Sequence, residues 1–206
     1  YLMQIRNLNL AICIPARMAS TRFPEKPIAL LHDKPMVKRV YDICKQTNID
    51  TYVLTDSKRV HSLFPDGKCF YMEDYYDNGT ERCAGFPALD SYDGVINVQG
   101  DMPDISTDII KTVANGLTIS DNEIVTVYTK MHKDLQKDPN SVKLIHTESQ
   151  AHWFCRAGLN YGVHHLGVYG YSKRALKAYR SLIQFDEEKI EKLEQLRWLQ
   201  NGYDIS

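Results

Sequence analysis

The strongest constraint in this chain is an alternation. Four short apolar runs, at residues 8–14, 51–55, 68–72 and 94–98, are each followed by a stretch with helical spacing. Residues 36–47 set Met36, Val37, Val40, Tyr41, Ile43 and Cys44 three and four apart, as one face of a helix requires. Ser57 is an N-cap for a short helix through Leu63, and Ser106 or Thr107 caps residues 106–117. Residues 80–89 read as a helix weakened by Gly85 and Pro87. Repeated strand–helix units of this kind predict a mostly parallel sheet with helices on both faces.

After about residue 120 the rhythm changes. Residues 123–130, 141–146, 151–155 and 165–171 read as consecutive strands, and helices follow over 172–183 and 186–200. In the last helix Ile190, Leu193, Leu196 and Leu199 or Gln200 make one face. The expected organisation is one domain over 1–206. Residues 1–120 form a nucleotide-binding half, and 121–206 form an α+β half for a second substrate or a dimer contact. At 206 residues the chain can bury a core of this size.

Charge and composition exclude several classes. A formal net charge of -1 gives no basic footprint for nucleic acid. No apolar run approaches the ~20 residues of a membrane helix, and the opening YLMQIRNLNLAICIP reads as a first strand, not a signal peptide. Five cysteines, an odd number with no C-x-x-C spacing, read as reduced thiols of a cytoplasmic protein.

In open α/β sheets ligands bind beyond the carboxyl ends of the strands, and two polar loops fall there. The first, PARMASTRFPEKP, gathers Arg17, Ser20, Thr21, Arg22 and Lys26. Arginine forks and a mobile lysine suit a triphosphate; the same composition also suits a plain solvated connection. The second loop, INVQGDMPD, ends a strand with Asp101, where a carboxylate can hold Mg²⁺ against phosphate oxygens, or where Gly100, Asp101 and Pro103 simply shape a turn. A third stretch, DNGTER, carries the Asn78-Gly79 turn signal, with Thr80 as the expected cap of the next helix. On a period-two strand His165, Gly167, Tyr169 and Tyr171 share a face, near Arg156. That face suits a polyhydroxylated acid or an ordinary half-buried surface. Glu194, Gln195 and Arg197 read as a solvated helix face, Glu194 bordering its buried side.

Seven segments together resemble the CMP-Kdo synthetases, the 3-deoxy-manno-octulosonate cytidylyltransferases. They are IPARMASTRFPEKP, KPMVKRVYD, NGTER, INVQGDMP, DPNSVKLI, HHLGVYGYS and KIEKLEQLRWLQNGYDI, in the family's order from residue 12 to about 205. The resemblance implies the nucleotide-diphospho-sugar transferase (Rossmann-like) fold and a homodimer. It also implies a reaction in which the anomeric hydroxyl of an eight-carbon sugar acid attacks the α-phosphorus of CTP and releases pyrophosphate. By position it assigns Ala16, Arg17, Ser20, Lys26, Asn78, Gly79, Thr80, Arg82 and Gln99 to the nucleotide. Arg156, His165, Tyr169, Glu194 and Gln195 fall to the sugar acid, and Asp101 becomes the ligand of Mg²⁺. Arg17, Lys26 and Asp101 would then carry the chemistry, so a cationic lip and a lone carboxylate are expected to converge on one cleft. A sialic-acid-like or amino-substituted acceptor, or a catalytically weak nucleotide-sugar-binding protein, are the competing readings.

Three departures from the family pattern accompany the likeness. Glu25 stands where the family usually has Gly, and MEDYYD precedes NGTER where the family more often carries Thr, Arg or Ser. The family's VDTPEDL-type segment, whose Asp is a second metal ligand, is absent from these residues, leaving Asp104 as a local stand-in.

Overall fold

The computed structural model describes residues 6–18, 25–119 and 122–206. The first half alternates as the pattern predicts: β1 (Leu10–Ala16), α1 (Met36–Lys45), β2 (Asp50–Thr55), α2 (Lys58–His61), β3 (Cys69–Tyr71), α3 (Gly79–Ala84), β4 (Gly94–Asn97) and α4 (Thr107–Thr118). The second half runs through β5 (Ile124–Thr129), β6 (Lys143–Thr147), β7 (Gln150–Cys155), β8 (Val163–Ser172), α5 (Lys173–Ala178), α6 (Asp186–Glu191) and α7 (Leu196–Gln200). One eight-stranded sheet, in the order β3-β2-β1-β4-β8-β6-β7 with β5 also on β8, runs through both halves. β1, β2, β3 and β4 pair in parallel, whereas β8 pairs antiparallel with β4, β5 and β6.

Alternation along β1 explains the two-sided core. Ile12, Ile14 and Ala16 face Val37 and Val40 of α1 and Ile110 and Val113 of α4. Ala11 and Cys13 face the opposite layer, with Tyr171, Leu176, Leu196 and Trp198. A strand buried on both faces must be apolar at every position, which is why its sequence shows no polar alternation. All five cysteines are buried and unpaired. Among the described residues no helix is long and apolar enough to cross a membrane.

Several local expectations need correction. Ser57 and Ser106 cap their helices through the amides of Val60 and Ile109, as expected. At α3, however, Asn78 is the cap, accepting from the Glu81 amide, and Thr80 lies inside the helix. That helix ends at Ala84, because Gly85 turns out of helical geometry. The helix expected over 186–200 is two helices. Lys192 adopts left-handed geometry (φ 55°, ψ 48°) and breaks it, so Ile190 is 77% exposed instead of joining the apolar face. β8 is bulged between His165 and Tyr169, with Gly167 at φ 73°. Two extra residues preserve the parity of the pleat, so both side chains still reach the same side.

The aromatic layer under the second half makes a stability prediction. Trp198 is fully buried, its ring 4.8 Å from Tyr179 and 5.1 Å from Tyr203 between centroids. Trp198→Ala is expected to cost about 3–5 kcal/mol, read as a lower urea midpoint with an unchanged denaturant slope. Trp198→Phe should cost clearly less.

Candidate functional site

Three loops meet at the carboxyl ends of the parallel strands. A side-chain carbon added at Gly100 would lie 3.0 Å from the Pro15 carbonyl and 3.4 Å from the Ala16 methyl, so the loop after β4 rests on the end of β1. One added at Gly79 would lie 2.9 Å from the Gln99 amide and 3.2 Å from Pro15, so the start of α3 closes on both. At Gly100 the near neighbour is backbone, so a side chain there would force a shift, whereas at Gly79 the neighbours are the Gln99 and Pro15 side chains.

Beyond this junction lies a cleft of about 600 Å³. Arg17, Asn78, Gly79, Arg82 and Gln99 line it, together with Arg156, His165, Tyr169, Glu194 and Gln195. Members of both residue sets singled out in the sequence therefore share one space. Ala16 is 2% exposed beneath the floor, and its carbonyl accepts from the Thr55 hydroxyl. Thr80 is buried behind the wall. Ser20 lies outside the described residues. Lys26 and Asp101 are not part of the lining. They pair with each other at 2.6 Å, two residues beyond Gln99, with side chains 35% and 49% exposed. Arg17 donates to the Asp77 carbonyl at 3.3 Å.

The departures from the family pattern find local explanations. Glu25 has φ 58°, a conformation that glycine adopts freely, and its carboxylate pairs with Arg59 instead of facing Lys26. From MEDYYD, Tyr76 is buried, and its ring lies 5.1 Å from the Arg82 guanidinium. Asp104 is exposed in the turn before α4. Among the described residues no cluster of three or more Asp, Glu, His or Cys forms a metal cage, so a metal at Asp101 would be held by few protein carboxylates. That donor set suits Mg²⁺, which uses one or two carboxylates and fills its shell with water and substrate phosphate.

Arg82 is nearly buried. Its Nη2 donates to Asp56 at 3.0 Å, while Nη1 is enclosed without a partner among the described residues. An unpaired guanidinium nitrogen closed to solvent is costly, and it would have to move to meet a ligand in the cleft. Sequence reasoning missed Asp56, whose other oxygen accepts from the Met18 amide; no motif marks it, because it acts only through Arg82. It also missed Gln184, Glu188, Lys189 and Lys192, which line the cleft because the break at Lys192 turns this segment toward it.

Glu194 accepts from the Gly79 amide (3.0 Å), the Thr80 amide (3.2 Å) and the Thr80 hydroxyl (2.8 Å). Burial still holds its pKa above the ordinary carboxylate value, against those hydrogen bonds. The spacing places it at the border of a solvated helix face; the structure ties it to the start of α3. Gln195 and Arg197, also expected in solvent, are 2% and 3% exposed, and Arg197 grips Glu188 through two bonds (2.7 and 2.9 Å) and Glu81 through one (3.0 Å). Arg156 donates to the Glu191 and Pro139 carbonyls. Burial, with neighbouring His164, pushes the His165 imidazole down to about 3, and burial raises the Tyr169 phenol well above its usual value. Both line the cleft as neutral groups.

The cytidylyltransferase family model matches residues 11–205. The 3-deoxy-manno-octulosonate cytidylyltransferase of Rickettsia bellii (strain OSU 85-389) is 34% identical, the match covering 98% of this chain and 87% of that protein. The protein of the same description from Parabacteroides distasonis is also 34% identical, over 93% of this chain and 86% of its own length. Among solved structures, CMP:2-keto-3-deoxy-manno-octonic acid synthetase complexed with CTP superposes with a TM-score of 0.86 at 29% identity, covering 96% of this chain and 88% of that one. The 4-diphosphocytidyl-2C-methyl-D-erythritolsynthase from Anaerococcus prevotii, at 14% identity and a TM-score of 0.56, shares the fold.

The depressed His165 pKa predicts a pH dependence. Between about 3 and the ordinary 6.5, the unfolded chain binds a proton on this ring and the folded chain does not. The ring's contribution to stability therefore falls as pH falls through that window. Urea midpoints of the wild type relative to His165→Gln should drop between about pH 7 and about pH 4.5; a difference independent of pH would contradict the buried neutral ring.

Proposed function

The chain belongs to the 3-deoxy-manno-octulosonate cytidylyltransferase family, and from that premise we propose that it transfers CMP from CTP to the anomeric hydroxyl of an eight-carbon sugar acid, releasing pyrophosphate. The observation that carries this reading is the single cleft shared by the nucleotide motif and the sugar motif, with Lys26 and Asp101 beside it.

In this reading Arg17, Ser20 and Lys26 hold the triphosphate, and Gly79, Arg82 and Gln99 hold the nucleoside. Asn78 shapes that pocket by capping α3, and Ala16 and Thr80 support it from beneath and behind. That Arg82 lines the cleft supports its assignment. Arg156, His165, Tyr169, Glu194 and Gln195 orient the sugar acid. Its anomeric oxygen then lies in line with the bond from the α-phosphorus to pyrophosphate; the new P–O bond forms as that bond breaks, and the hydroxyl proton is released to water. Most of the acceleration comes from positioning and from charge stabilisation at phosphorus. Lys26 is the mobile cation for the leaving pyrophosphate, and Asp101 is the carboxylate that would hold the divalent ion, here Mg²⁺. When bound, Mg²⁺ supplies neutralisation of charge on the phosphoryl oxygens. The exposed Lys26–Asp101 pair contributes little to folding, so exchanging it for substrate contacts is inexpensive. Exposed Tyr128 and Tyr161 support a homodimer contact in the second half, and five buried unpaired thiols support a reducing, cytoplasmic setting.

Incubation with CTP, Mg²⁺ and a panel of eight- and nine-carbon sugar acids tests the reaction: pyrophosphate release is expected with the eight-carbon acid, and release only with a nine-carbon acid would transfer the assignment. Asp101→Asn should lower kcat by about 10²–10³ with little change in melting temperature; full activity at saturating Mg²⁺ would remove Asp101 from the metal role. Lys26→Ala should raise the KM for CTP roughly tenfold to a hundredfold, the worth of one hydrogen bond to a charged group.

A further inference from the structure

We propose that Thr126 is a positioning residue that locks His165 as its Nε2–H tautomer, so that the bare Nδ1 accepts from a hydroxyl of the sugar acid and turns away its carboxylate. The proposal rests on the reading that His165 faces the sugar acid.

Thr126 lies on β5 in register with Tyr169 of β8. Its Oγ1 is 2.7 Å from the Val168 carbonyl and 2.8 Å from His165 Nε2. A hydroxyl has one proton to donate, and a carbonyl can only accept. The proton therefore goes to Val168, and the threonine oxygen must accept from an N–H on Nε2. The bulge makes this possible, because it brings the Val168 carbonyl and the His165 ring to the same hydroxyl. A neutral imidazole carries one N–H, so Nδ1 keeps its lone pair. The ring is buried, edge-on to Phe154 at 4.9 Å and tilted against Tyr169 at 5.1 Å between centroids. Burial favours the neutral form. Among the described residues no hydrogen bond reaches Nδ1, and His165 lines the cleft.

A neutral ring of this kind is a poor base but a selective acceptor. A hydroxyl opposite Nδ1 completes a hydrogen bond, whereas a carboxylate would set lone pair against lone pair. The acid's carboxylate is directed instead to the cations of the cleft, among them Arg156, Lys189 and Lys192.

Two variants test this: Thr126→Val, which keeps the shape and removes the hydroxyl, and Thr126→Ser, which keeps the hydroxyl. In the wild type, ¹⁵N NMR of the His165 ring should show the proton on Nε2. Thr126→Val should lose that pattern and raise the KM for the eight-carbon acid about tenfold, the effect of one hydrogen bond, with the KM for CTP unchanged; Thr126→Ser should restore both. Among mono-deoxy sugar acids, the one lacking the hydroxyl that meets Nδ1 should be penalised by the wild type and not by Thr126→Val. A wild-type ring protonated on Nδ1, or equal KM changes for both substrates in Thr126→Val, would overturn the proposal. If no sugar acid is turned over the enzymatic reading fails, while the ¹⁵N spectrum still decides the tautomer.

Discussion

The buried guanidinium of Arg197 ties α3, whose start lines the cleft, to the segment that carries Glu188. It forms a bidentate pair with Glu188 and a further bond to Glu81, whose second oxygen accepts from the Asp77 amide. Its face lies 4.4 Å from the Tyr179 ring, and the Tyr179 hydroxyl donates to the Glu194 carbonyl. One cation therefore spans α3, α6 and α7. Removing one member of such a buried cluster strands the others without compensation, at about 3–5 kcal/mol. The energetic advantage over an apolar cluster is small. What the charges supply is direction: three N–H···O bonds from one planar guanidinium orient the start of α3 against α6 and α7.

The electrostatics of the cleft follow from that framework. Glu188 and Glu81 share the single charge of Arg197, and Glu194 is satisfied by backbone amides and a hydroxyl. These three acids are held within the protein, while Arg17, Arg82 and Arg156 line the cleft as cations, with Asp77 beside them. The Lys26–Asp101 pair differs in kind. It is half exposed, weak in water and adjacent to the cleft, so its partners can be exchanged with little loss of stability.

Particular residues show how far the pattern could be read. The four parallel strands and their helices were legible because burial on both faces forces continuous apolar runs, and serine caps mark helix starts chemically. Asn78 displaced Thr80 as a cap because both residue types suit the role, and only the backbone shows which one precedes the first helical residue. The break at Lys192 was illegible: lysine favours helix, and the spacing of Ile190, Leu193 and Leu196 fits one continuous face. Docking of Leu193 and Leu196 into the core, with Glu194 drawn to the amides of α3, overrides that propensity. At Glu25 the family's glycine was the clue, since the position sits in left-handed geometry that Glu25 adopts while pairing with Arg59.

By itself the sequence determined the family, the strand–helix alternation and which side chains could face a nucleotide and a sugar acid, because periodicity and motif chemistry are local and survive translation into one dimension. Tertiary structure alone decided that Lys26 meets Asp101, that Arg82 meets Asp56, that Glu194 and Arg197 are internal, and that a threonine on β5 meets a histidine ring. Each of these joins residues many positions apart through a hydrogen bond or an ion pair, and such contacts depend on distances of a few ångströms that no spacing along the chain encodes.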